Sequence, residues 1–242
     1  MSEARVALVT GGGTGIGAAC CRALDAEGFR VVVHYRGHEA AARAVAAELR
    51  DAFTVRADLS EPREVESLVA TIKERAGRLD VLVNNAGQNR NAPTPTMGLD
   101  DYDAVAGVTR GTWYLTKLVL RRLMLKQDCG RIINISSVVG HTGNPGQAPY
   151  TMAKAGLDAL TKSLAQELAG RSILINSVAP GFIATEMTAS LPDAVRDALL
   201  ARIPLGRVGA PAEVADVVAF LATRASYLHG TVVHVNGGLY GG

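Results

Sequence analysis

Three side chains whose types suit acid–base chemistry lie close together in the middle of the sequence: Ser137, Tyr150 and Lys154. Pro149 fits the first turn of a helix, because the N–H that proline lacks would be unpaired there. Tyr150 and Lys154 would then share a helix face, since residues four apart are neighbours on the helix surface. A nearby ammonium favours the phenolate and makes a tyrosine a better proton donor. The pattern predicts that Tyr150 protonates a carbonyl oxygen to which the Ser137 hydroxyl is also bonded.

A tyrosine and a lysine at this spacing also occur by chance on many helices, so the interpretation depends on the surrounding elements. Composition and length limit the class of protein and the number of domains. The chain has 242 residues, a charged fraction of 20% and a formal net charge of +2, which is not the strongly basic balance of a nucleic-acid-binding protein. The length fits one α/β domain over residues 1–242.

Cysteines, histidines and the N-terminal region argue against a metal site and a membrane segment. The three cysteines and five histidines have no metal-ligand spacing, so we expect no bound metal. The first apolar run, Val6–Val9, is too short for a signal-peptide core or a membrane span. We therefore expect a cytoplasmic protein that binds neither nucleic acid nor membrane.

A glycine-rich turn follows that first apolar run. Val6–Val9 is typical of a buried strand, the segment from Thr10 to Gly17 contains the glycines, and a helix-compatible stretch continues to about Glu27. Glycines let the backbone approach a pyrophosphate, and free N–H groups at a helix start bind the anion. A plain glycine loop is the alternative, but the position between the first strand and the first helix favours a dinucleotide site.

The end of the second predicted strand, Arg30–His34, bears on the choice of dinucleotide. An acidic residue at this place usually binds the ribose hydroxyls of NAD, whereas an arginine accepts the extra phosphate of NADP. The sequence here is His34-Tyr35-Arg36, without an acidic side chain. Arg36 therefore favours NADPH, with a solvated loop cation as the alternative.

The rest of the chain alternates regularly between predicted strands and helices. Further strands are predicted at Phe53–Val55, Val81–Val83, Ile132–Ile135, Ile173–Val178 and Val232–Val235, and a long helix from Asp100 to Gln127. Phe182 to Ile203 is predicted to be a mobile cover with a short helix around Asp193 to Ala201. The alternation predicts a Rossmann-like, doubly wound α/β sheet of about seven parallel strands with helices on both faces.

In this order the features resemble a short-chain dehydrogenase/reductase over essentially the whole chain. The resemblance rests on the glycine turn, the sequence from Asn84 to Gly87, Ser137, Tyr150 with Lys154, and Pro180-Gly181. The stretches Ile135–Gln147, Pro180–Met187 and His234–Gly238 are similar to bacterial 3-oxoacyl-acyl-carrier-protein reductases. Acetoacetyl-CoA reductases and several sugar or polyketide reductases share much of this similarity.

The resemblance implies NADPH-dependent reduction of a 3-oxoacyl thioester. Tyr150 would donate the proton, Ser137 would orient the carbonyl, and Lys154 would bind nicotinamide ribose hydroxyls and lower the pKa of the phenol. Ser136 is not expected to act, because adjacent strand residues point to opposite faces. Asp58 would meet the adenine, although from the sequence alone a turn-capping role is the safer expectation. Together with Arg36, the cofactor contacts are expected at Gly11, Thr14, Gly15, Ile16, Gly17, Asp58, Leu59, Asn84, Ala86, Gly87, Tyr150, Lys154, Pro180, Gly181, Ile183 and Thr185.

The resemblance also implies partners. It implies a homotetramer and an acidic acyl-carrier protein, for which Arg171 at the end of the Tyr150 helix would form a basic rim near the entrance. Lys126 would support that rim and Asp128 would weaken it. Reduction of a CoA-linked or free ketone is an alternative, and so is a non-catalytic NADP-binding scaffold, against which the intact Ser137, Tyr150 and Lys154 argue.

One position departs from the family pattern. Many members carry an asparagine in the middle of the long helix before the fifth strand, where it holds a water that reloads the tyrosine. No asparagine occurs between Asn91 and Asn134, and Val108 stands at the expected place. We expect an active enzyme whose proton relay is impaired or runs through backbone carbonyls instead.

Overall fold

The computed structural model describes residues 4–185 and 193–241. Within them, seven parallel strands form one sheet: β1 (Val6–Val9), β2 (Arg30–Tyr35), β3 (Ala52–Arg56), β4 (Val81–Asn84), β5 (Cys129–Ile135), β6 (Ser172–Pro180) and β7 (Val232–Val235). The helices are α1 (Gly15–Ala26), α2 (Glu39–Glu48), α3 (Pro62–Ala76), α4 (Leu99–Val119), α5 (Leu125–Gln127), α6 (Val139–Thr142), α7 (Ala148–Glu167), α8 (Asp193–Leu200) and α9 (Pro211–Thr223).

The strand order creates a crevice at the carboxyl edge of the sheet. The strand order is β3-β2-β1-β4-β5-β6-β7. The second and third strands therefore lie on one side of β1, and the chain then crosses to the other side of β1, where β4 to β7 follow in order. Connections on the two sides of this switch diverge, and ligands of doubly wound sheets bind in the gap between them. The predicted Rossmann-like α/β class is confirmed.

The core consists of two apolar layers, one on each face of the sheet. Along β1, Val6 and Leu8 pack toward α3, α4 and α7, whereas Ala7 and Val9 pack toward α1, α2 and α9. This alternation follows from the period of two in a strand. Both faces are covered, which explains why the strands are apolar at nearly every position.

Several element boundaries differ from those predicted. β5 begins three residues before the predicted start, at Cys129, and β6 continues through Pro180. The long helix predicted from Asp100 to Gln127 is α-helical only to Val119 and passes through a π-helical turn, Leu120–Met124, before α5. The short predicted helix in the cover segment is α8, while residues 186–192 of that segment lie outside the described residues.

The helices also bear on membrane insertion. In the described part of the chain, no helix is both long enough and apolar enough to cross a bilayer.

Candidate active site

Ser137, Tyr150 and Lys154 line one cleft of about 520 Å³ at the carboxyl edge of the sheet. Ser137 follows the end of β5, and the other two residues lie in the first turns of α7, whose first turn contains Pro149 as predicted. The Ser137 side chain interacts with the Tyr150 hydroxyl and acts to lower the pKa of the phenol. The Lys154 Nζ lies 5.5 Å from the centroid of the Tyr150 ring. The three groups are therefore assembled as the sequence pattern required.

Lys154 is held by the end of the neighbouring strand. Its side chain is buried, and its Nζ donates a hydrogen bond of 2.7 Å to the carbonyl oxygen of Ile135. Burial lowers the pKa of Lys154 to about 8, although the negative charge of Asp158 acts in the opposite direction. A lysine with this pKa is about 90% protonated at pH 7.

The structure corrects one expectation about Tyr150. Burial raises the pKa of its phenol above the ordinary value, and the interaction with Ser137 lowers it by less. Lys154 was expected to hold this pKa low, but burial outweighs favourable contacts to the phenolate. The Tyr150 hydroxyl is consequently protonated at neutral pH, the state that a proton donor requires.

Adjacent serines at the end of β5 have different roles, as their alternation predicts. Ser136 is buried and its hydroxyl donates to the carbonyl oxygen of Val178, 3.2 Å away. The Ser137 oxygen accepts a hydrogen bond of 3.4 Å from the Val139 N–H and faces the cleft. Both serines line the cleft, but the Ser136 hydroxyl is bonded to the backbone, so Ser137 is the better placed to contact a substrate through its side chain.

The glycine turn has no room for a side chain at Gly17 and has a left-handed backbone at two other glycines. A Cβ on Gly17 would lie 2.1 Å from the Gly11 carbonyl oxygen, and Gly11 and Gly15 adopt positive φ angles of 63° and 51°. The Asn85 amide donates to the carbonyl oxygens of Thr10 (2.9 Å) and Gly11 (3.2 Å) and so fixes the turn from the β4 side. No described side chain caps the start of α1, where N–H groups face the cleft. This cradle of backbone donors fits a dinucleotide pyrophosphate.

His34 braces the same turn, and sequence reasoning missed it. Its Nδ1 accepts from the Gly11 N–H at 3.1 Å, so Nε2 carries the proton and donates to the Ala57 carbonyl oxygen at 2.9 Å. Burial lowers the pKa of His34 to about 4, and the ring is therefore neutral at pH 7. A histidine within a run of valines gives no local signal for this role.

Arg36 and Asp58 lie at the other end of the cleft. The Arg36 Nη1 is 3.1 Å from the Gln88 Oε1 and 4.0 Å from the Asp58 Oδ2, and its side chain is 54% exposed. Asp58 Oδ1 accepts from both the N–H and the hydroxyl of Ser60, which is the expected capping role. Burial acts to raise the pKa of Asp58, but the Ser60 bonds and the nearby arginines outweigh it and lower that pKa.

The cleft brings together most residues expected to contact a cofactor. Its lining includes Gly11, Thr14, Gly15, Ile16, Gly17, Arg36, Asp58, Leu59, Ala86, Gly87, Tyr150, Lys154, Pro180, Gly181, Ile183 and Thr185. Asn84 is placed elsewhere: its amide nitrogen is buried and donates to Thr116 Oγ1 (3.0 Å) and Asn134 Oδ1 (2.8 Å). The structure thus gives Asn84 a role in tying β4 to α4 and β5, while Asn85 lines the cleft.

Val108 lines the cleft from α4, as its position in the family pattern suggested. Its side chain is apolar and 8% exposed, and its carbonyl oxygen accepts a hydrogen bond of 3.0 Å from the Thr112 hydroxyl. The side chain therefore offers no polar atom to a water at this wall of the cleft.

Arg171 does not form a rim at this cleft, which corrects the expectation from the sequence. It precedes β6 at Ser172, whereas the cleft lies at the other end of that strand, at Pro180 and Gly181. At about 3.3 Å per residue, the two ends of β6 are roughly 26 Å apart. The Arg171 Nη1 lies instead 3.6 Å from Asp128 Oδ1, at the opposite edge of the sheet.

The chain is similar to known proteins over nearly its whole length. A family model described as enoyl-(acyl carrier protein) reductase matches residues 11–240. A 3-oxoacyl-[acyl-carrier-protein] reductase of Synechocystis is 46% identical over 242 residues, covering 98% of this chain and 97% of that protein. The enzyme named FabG is 42% identical in Staphylococcus aureus, covering 99% of this chain and 100% of that protein. In Aquifex aeolicus it is 44% identical, covering 98% of each.

The family match includes the glycines of the turn, Ser137, Tyr150 and Lys154, and the closing strand. The matched range, residues 11–240, contains every cleft residue described above. The chain belongs to the short-chain dehydrogenase/reductase family.

Proposed function

We propose that this protein is an NADPH-dependent reductase that converts a 3-oxoacyl thioester into the 3-hydroxyacyl thioester. The observation that carries the proposal is the assembly of Ser137, Tyr150 and Lys154 in the same cleft as the glycine turn. A protonated phenol beside a serine hydroxyl is suited to a ketone oxygen, which gains a proton during reduction. The relatives' names add the substrate class, since they are named as 3-oxoacyl-[acyl-carrier-protein] reductases.

Ser137, Tyr150 and Lys154 each have a separate role in the proposed reduction. A nicotinamide bound in the cleft would supply the hydride for the keto carbon. The Ser137 hydroxyl hydrogen-bonds the keto oxygen and holds it toward Tyr150. Tyr150 transfers its phenolic proton to that oxygen, and the Lys154 ammonium stabilises the resulting phenolate and binds ribose hydroxyls.

Tyr150 must regain a proton before the next turnover. The Lys154 ammonium already contacts the Ile135 carbonyl oxygen at the end of β5. Because Val108 presents only an apolar side chain to the cleft, we propose that the reloading path uses Lys154 and backbone carbonyls rather than a side-chain amide on α4.

NADPH is the proposed form of the cofactor. Arg36 lies at the end of β2 with more than half of its side chain exposed in the cleft, and its charge is only partly balanced by Asp58 at 4.0 Å. An arginine at this place binds a phosphate on the adenosine ribose through charge-assisted hydrogen bonds. Initial rates with NADPH and NADH, each varied at fixed substrate, test this preference.

Substrate comparison provides the direct test of the proposed function. Purified protein with NADPH should reduce acetoacetyl-acyl-carrier protein and, less efficiently, acetoacetyl-CoA. Crotonyl-CoA, an enoyl thioester, serves as the control because the family model carries the name of an enoyl reductase. Reduction of crotonyl-CoA alone would contradict the keto chemistry. Tight NADPH binding without any reduction would favour a non-catalytic scaffold. Reduction of free or CoA-linked ketones alone would exclude the acyl-carrier protein as the substrate carrier.

We further propose that the carrier protein is the natural partner, that the enzyme works in the cytoplasm and that it is a homotetramer. The carrier proposal rests on the relatives' names and not on Arg171, which lies at the far edge of the sheet. The tetramer proposal is supported by exposed aromatic side chains, among them Trp113 (48%) and Tyr227 (100%). Exposed aromatics of this kind are enriched in protein interfaces.

A further inference from the structure

A second buried ionisable residue lies one helical turn beyond Lys154. Asp158 is on α7, four residues after Lys154, and is only 4% exposed. Residues at this spacing lie on the same face of a helix. Neither carboxylate oxygen accepts an aligned hydrogen bond from the described residues. A buried carboxylate without such bonds is strongly unfavourable unless a positive charge lies nearby.

The surroundings of Asp158 contain few groups able to balance its charge. His141, on α6, brings its Nε2 to 2.9 Å from Asp158 Oδ2, although the pair is not aligned as a hydrogen bond. Behind His141 lie the rings of His234, with centroids 4.8 Å apart, and Tyr240, at 5.2 Å. No cluster among the described residues could hold a metal ion. The groups facing Asp158 are thus Lys154 on its own helix, His141 on α6, and beyond it His234 on β7 and Tyr240.

We propose that Asp158 is a positioning residue for the reduction, whose carboxylate keeps the buried Lys154 side chain in its ammonium form. This inference rests on the proposed function, in which the Lys154 ammonium binds ribose hydroxyls and stabilises the phenolate of Tyr150. Asp158 itself touches neither substrate nor cofactor in this scheme, because it is not among the residues that line the cleft.

The electrostatics support this role. Full burial disfavours the charged form of Lys154, and a single carbonyl contact, at Ile135, is its one hydrogen bond among the described residues. The charge of Asp158 raises the pKa of Lys154 against this burial, and the balance leaves that pKa at about 8. Without the carboxylate, burial would act unopposed and the pKa of Lys154 would fall below 8.

The titration of Lys154 tests the inference without using activity. The chain has five lysines, Lys73, Lys117, Lys126, Lys154 and Lys162, so NMR of protein labelled at lysine Cε gives few signals, and Lys154→Arg identifies the one of interest. Asp158→Asn removes the charge and keeps the shape, and should lower the pKa of Lys154 by about one unit. Asp158→Glu keeps the charge and should restore it toward the wild-type value.

Two further variants separate charge from folding. Asp158→Leu also removes the charge but replaces it with an apolar side chain of similar size, which a buried site tolerates better than an unpaired amide. Asp158→Leu should also lower the pKa of Lys154, and it replaces Asp158→Asn in the test if that variant does not fold. Asp80 is a matched control, because it is a buried aspartate at the opposite edge of the sheet, where it accepts from the Val6 N–H at 2.8 Å. Asp80→Asn should lower stability and leave the Lys154 titration unchanged.

The pH dependence of kcat/KM, at saturating NADPH, then connects the charge to the reaction. Loss of the ammonium form ends activity as pH rises through the pKa of Lys154, so the alkaline limb of Asp158→Asn should move to lower pH. A shift of about one unit predicts activity about five-fold below wild type at pH 8 and close to wild type at pH 6. Equal losses at both pH values, or an unchanged Lys154 titration, would overturn the role of Asp158. Wild-type protein that reduces no ketone would overturn the proposed function instead, while the NMR titration would still decide the charge coupling.

Discussion

Burial determines the charge states of Tyr150 and Lys154, the proposed proton donor and its neighbouring cation. The pKa of Tyr150 is raised and that of Lys154 is lowered to about 8, in both cases chiefly because the charged form is desolvated. At neutral pH this leaves a neutral phenol and a mostly charged amine, which are the states needed before proton transfer. Above pH 8 the ammonium is lost first, so activity should decline there while the phenol is still protonated.

Replacement of Tyr150 tests the proton donor directly. Tyr150→Phe removes the hydroxyl with little change in shape, and general acid catalysis is worth roughly 10²- to 10⁴-fold in rate. We expect kcat to fall by about that factor while the dissociation constant for NADPH, measured by fluorescence, stays within a few-fold. Tyr114→Phe is the control, since Tyr114 lies on α4 and hydrogen-bonds to Glu66 rather than facing the cleft. Near-normal turnover by Tyr150→Phe would exclude this donor.

Replacement of Arg36 tests the proposed preference for NADPH. A charge-assisted contact with the extra phosphate is worth about 1.5–3 kcal/mol, so Arg36→Ala should weaken NADPH binding roughly 10- to 150-fold and leave NADH binding nearly unchanged. Calorimetric titration with each cofactor measures both effects. Arg43→Ala should change neither, because Arg43 is paired with Glu39 on the exposed side of α2. Equal losses of affinity for NADPH and NADH would mean that Arg36 does not bind the extra phosphate and is only a surface cation.

The sequence predicted that Ser137, Tyr150 and Lys154 lie together, because Tyr150 and Lys154 are four residues apart on one helix and Ser137 follows a strand end, and all three line one cleft. The sequence failed where contacts depend on distant residues. Asn84 was expected in the cleft, but its amide bonds to Thr116 and Asn134, which are 32 and 50 residues away. The burial of Asp158 was not predictable either, because its spacing from Lys154 does not show that its carboxylate lies under His141 of another helix.

The glycine turn and α1 act as one element, and Gly17 is where the two meet. A Cβ there would lie 2.1 Å from the Gly11 carbonyl oxygen, so Gly17→Ala must displace the turn. We expect loss of measurable NADPH binding and a lower melting temperature. Gly156→Ala is the matched control, because a Cβ added at this position on α7 would meet no atom within 4 Å. It should retain activity and stabilise the protein by up to about 1 kcal/mol through helix propensity. Retained NADPH binding by Gly17→Ala would contradict the proposal that the glycine turn binds the pyrophosphate.

His34 links this turn to the end of β3, and its titration should affect stability. Its pKa falls from the ordinary 6.5 to about 4 in the folded protein, so the unfolded chain binds the proton more tightly. Stability is therefore fully present above pH 6.5 and is lost as pH falls toward 4, by roughly 3 kcal/mol in total. Urea unfolding from pH 7 to pH 4 should show this loss in wild type and not in His34→Gln. His38→Gln, at an exposed position, should behave like wild type. Parallel curves for wild type and His34→Gln would contradict a buried neutral histidine.

Elements were predictable from the sequence to within a few residues, because strand and helix periods are local properties. The π-helical turn at Leu120–Met124 was not. It fits Leu120, Leu123 and Met124 into the core, and Met124 packs where a Cβ on Gly130 would lie 2.7 Å from its sulfur. This contact joins the helix end to β5, and the helix sequence itself has no pattern that would predict it.

The strand order places the glycine turn, Arg36 and the side chains of Ser137, Tyr150 and Lys154 around one crevice, although Gly11 and Lys154 are far apart in sequence. The alternation of strands and helices was enough to predict the doubly wound class. The outer surface was less predictable, because exposure depends on how helices pack. α4 and α7 lie side by side and leave Trp113 48% and Met152 59% exposed.

That surface supports the last prediction, that the protein associates through α4 and α7. Light scattering after gel filtration should give a mass of four 25.3 kDa chains for wild type. Trp113→Glu places a charge where an aromatic would be buried, and such central aromatics contribute about 2 kcal/mol or more to an interface. We expect this variant to form dimers or monomers with an unchanged circular dichroism spectrum. Ala70→Glu adds the same charge to the exposed side of α3 and should remain a tetramer. A monomeric wild type would exclude the tetramer, whereas tetrameric Trp113→Glu would place the interface on another surface, such as the one around the fully exposed Tyr227.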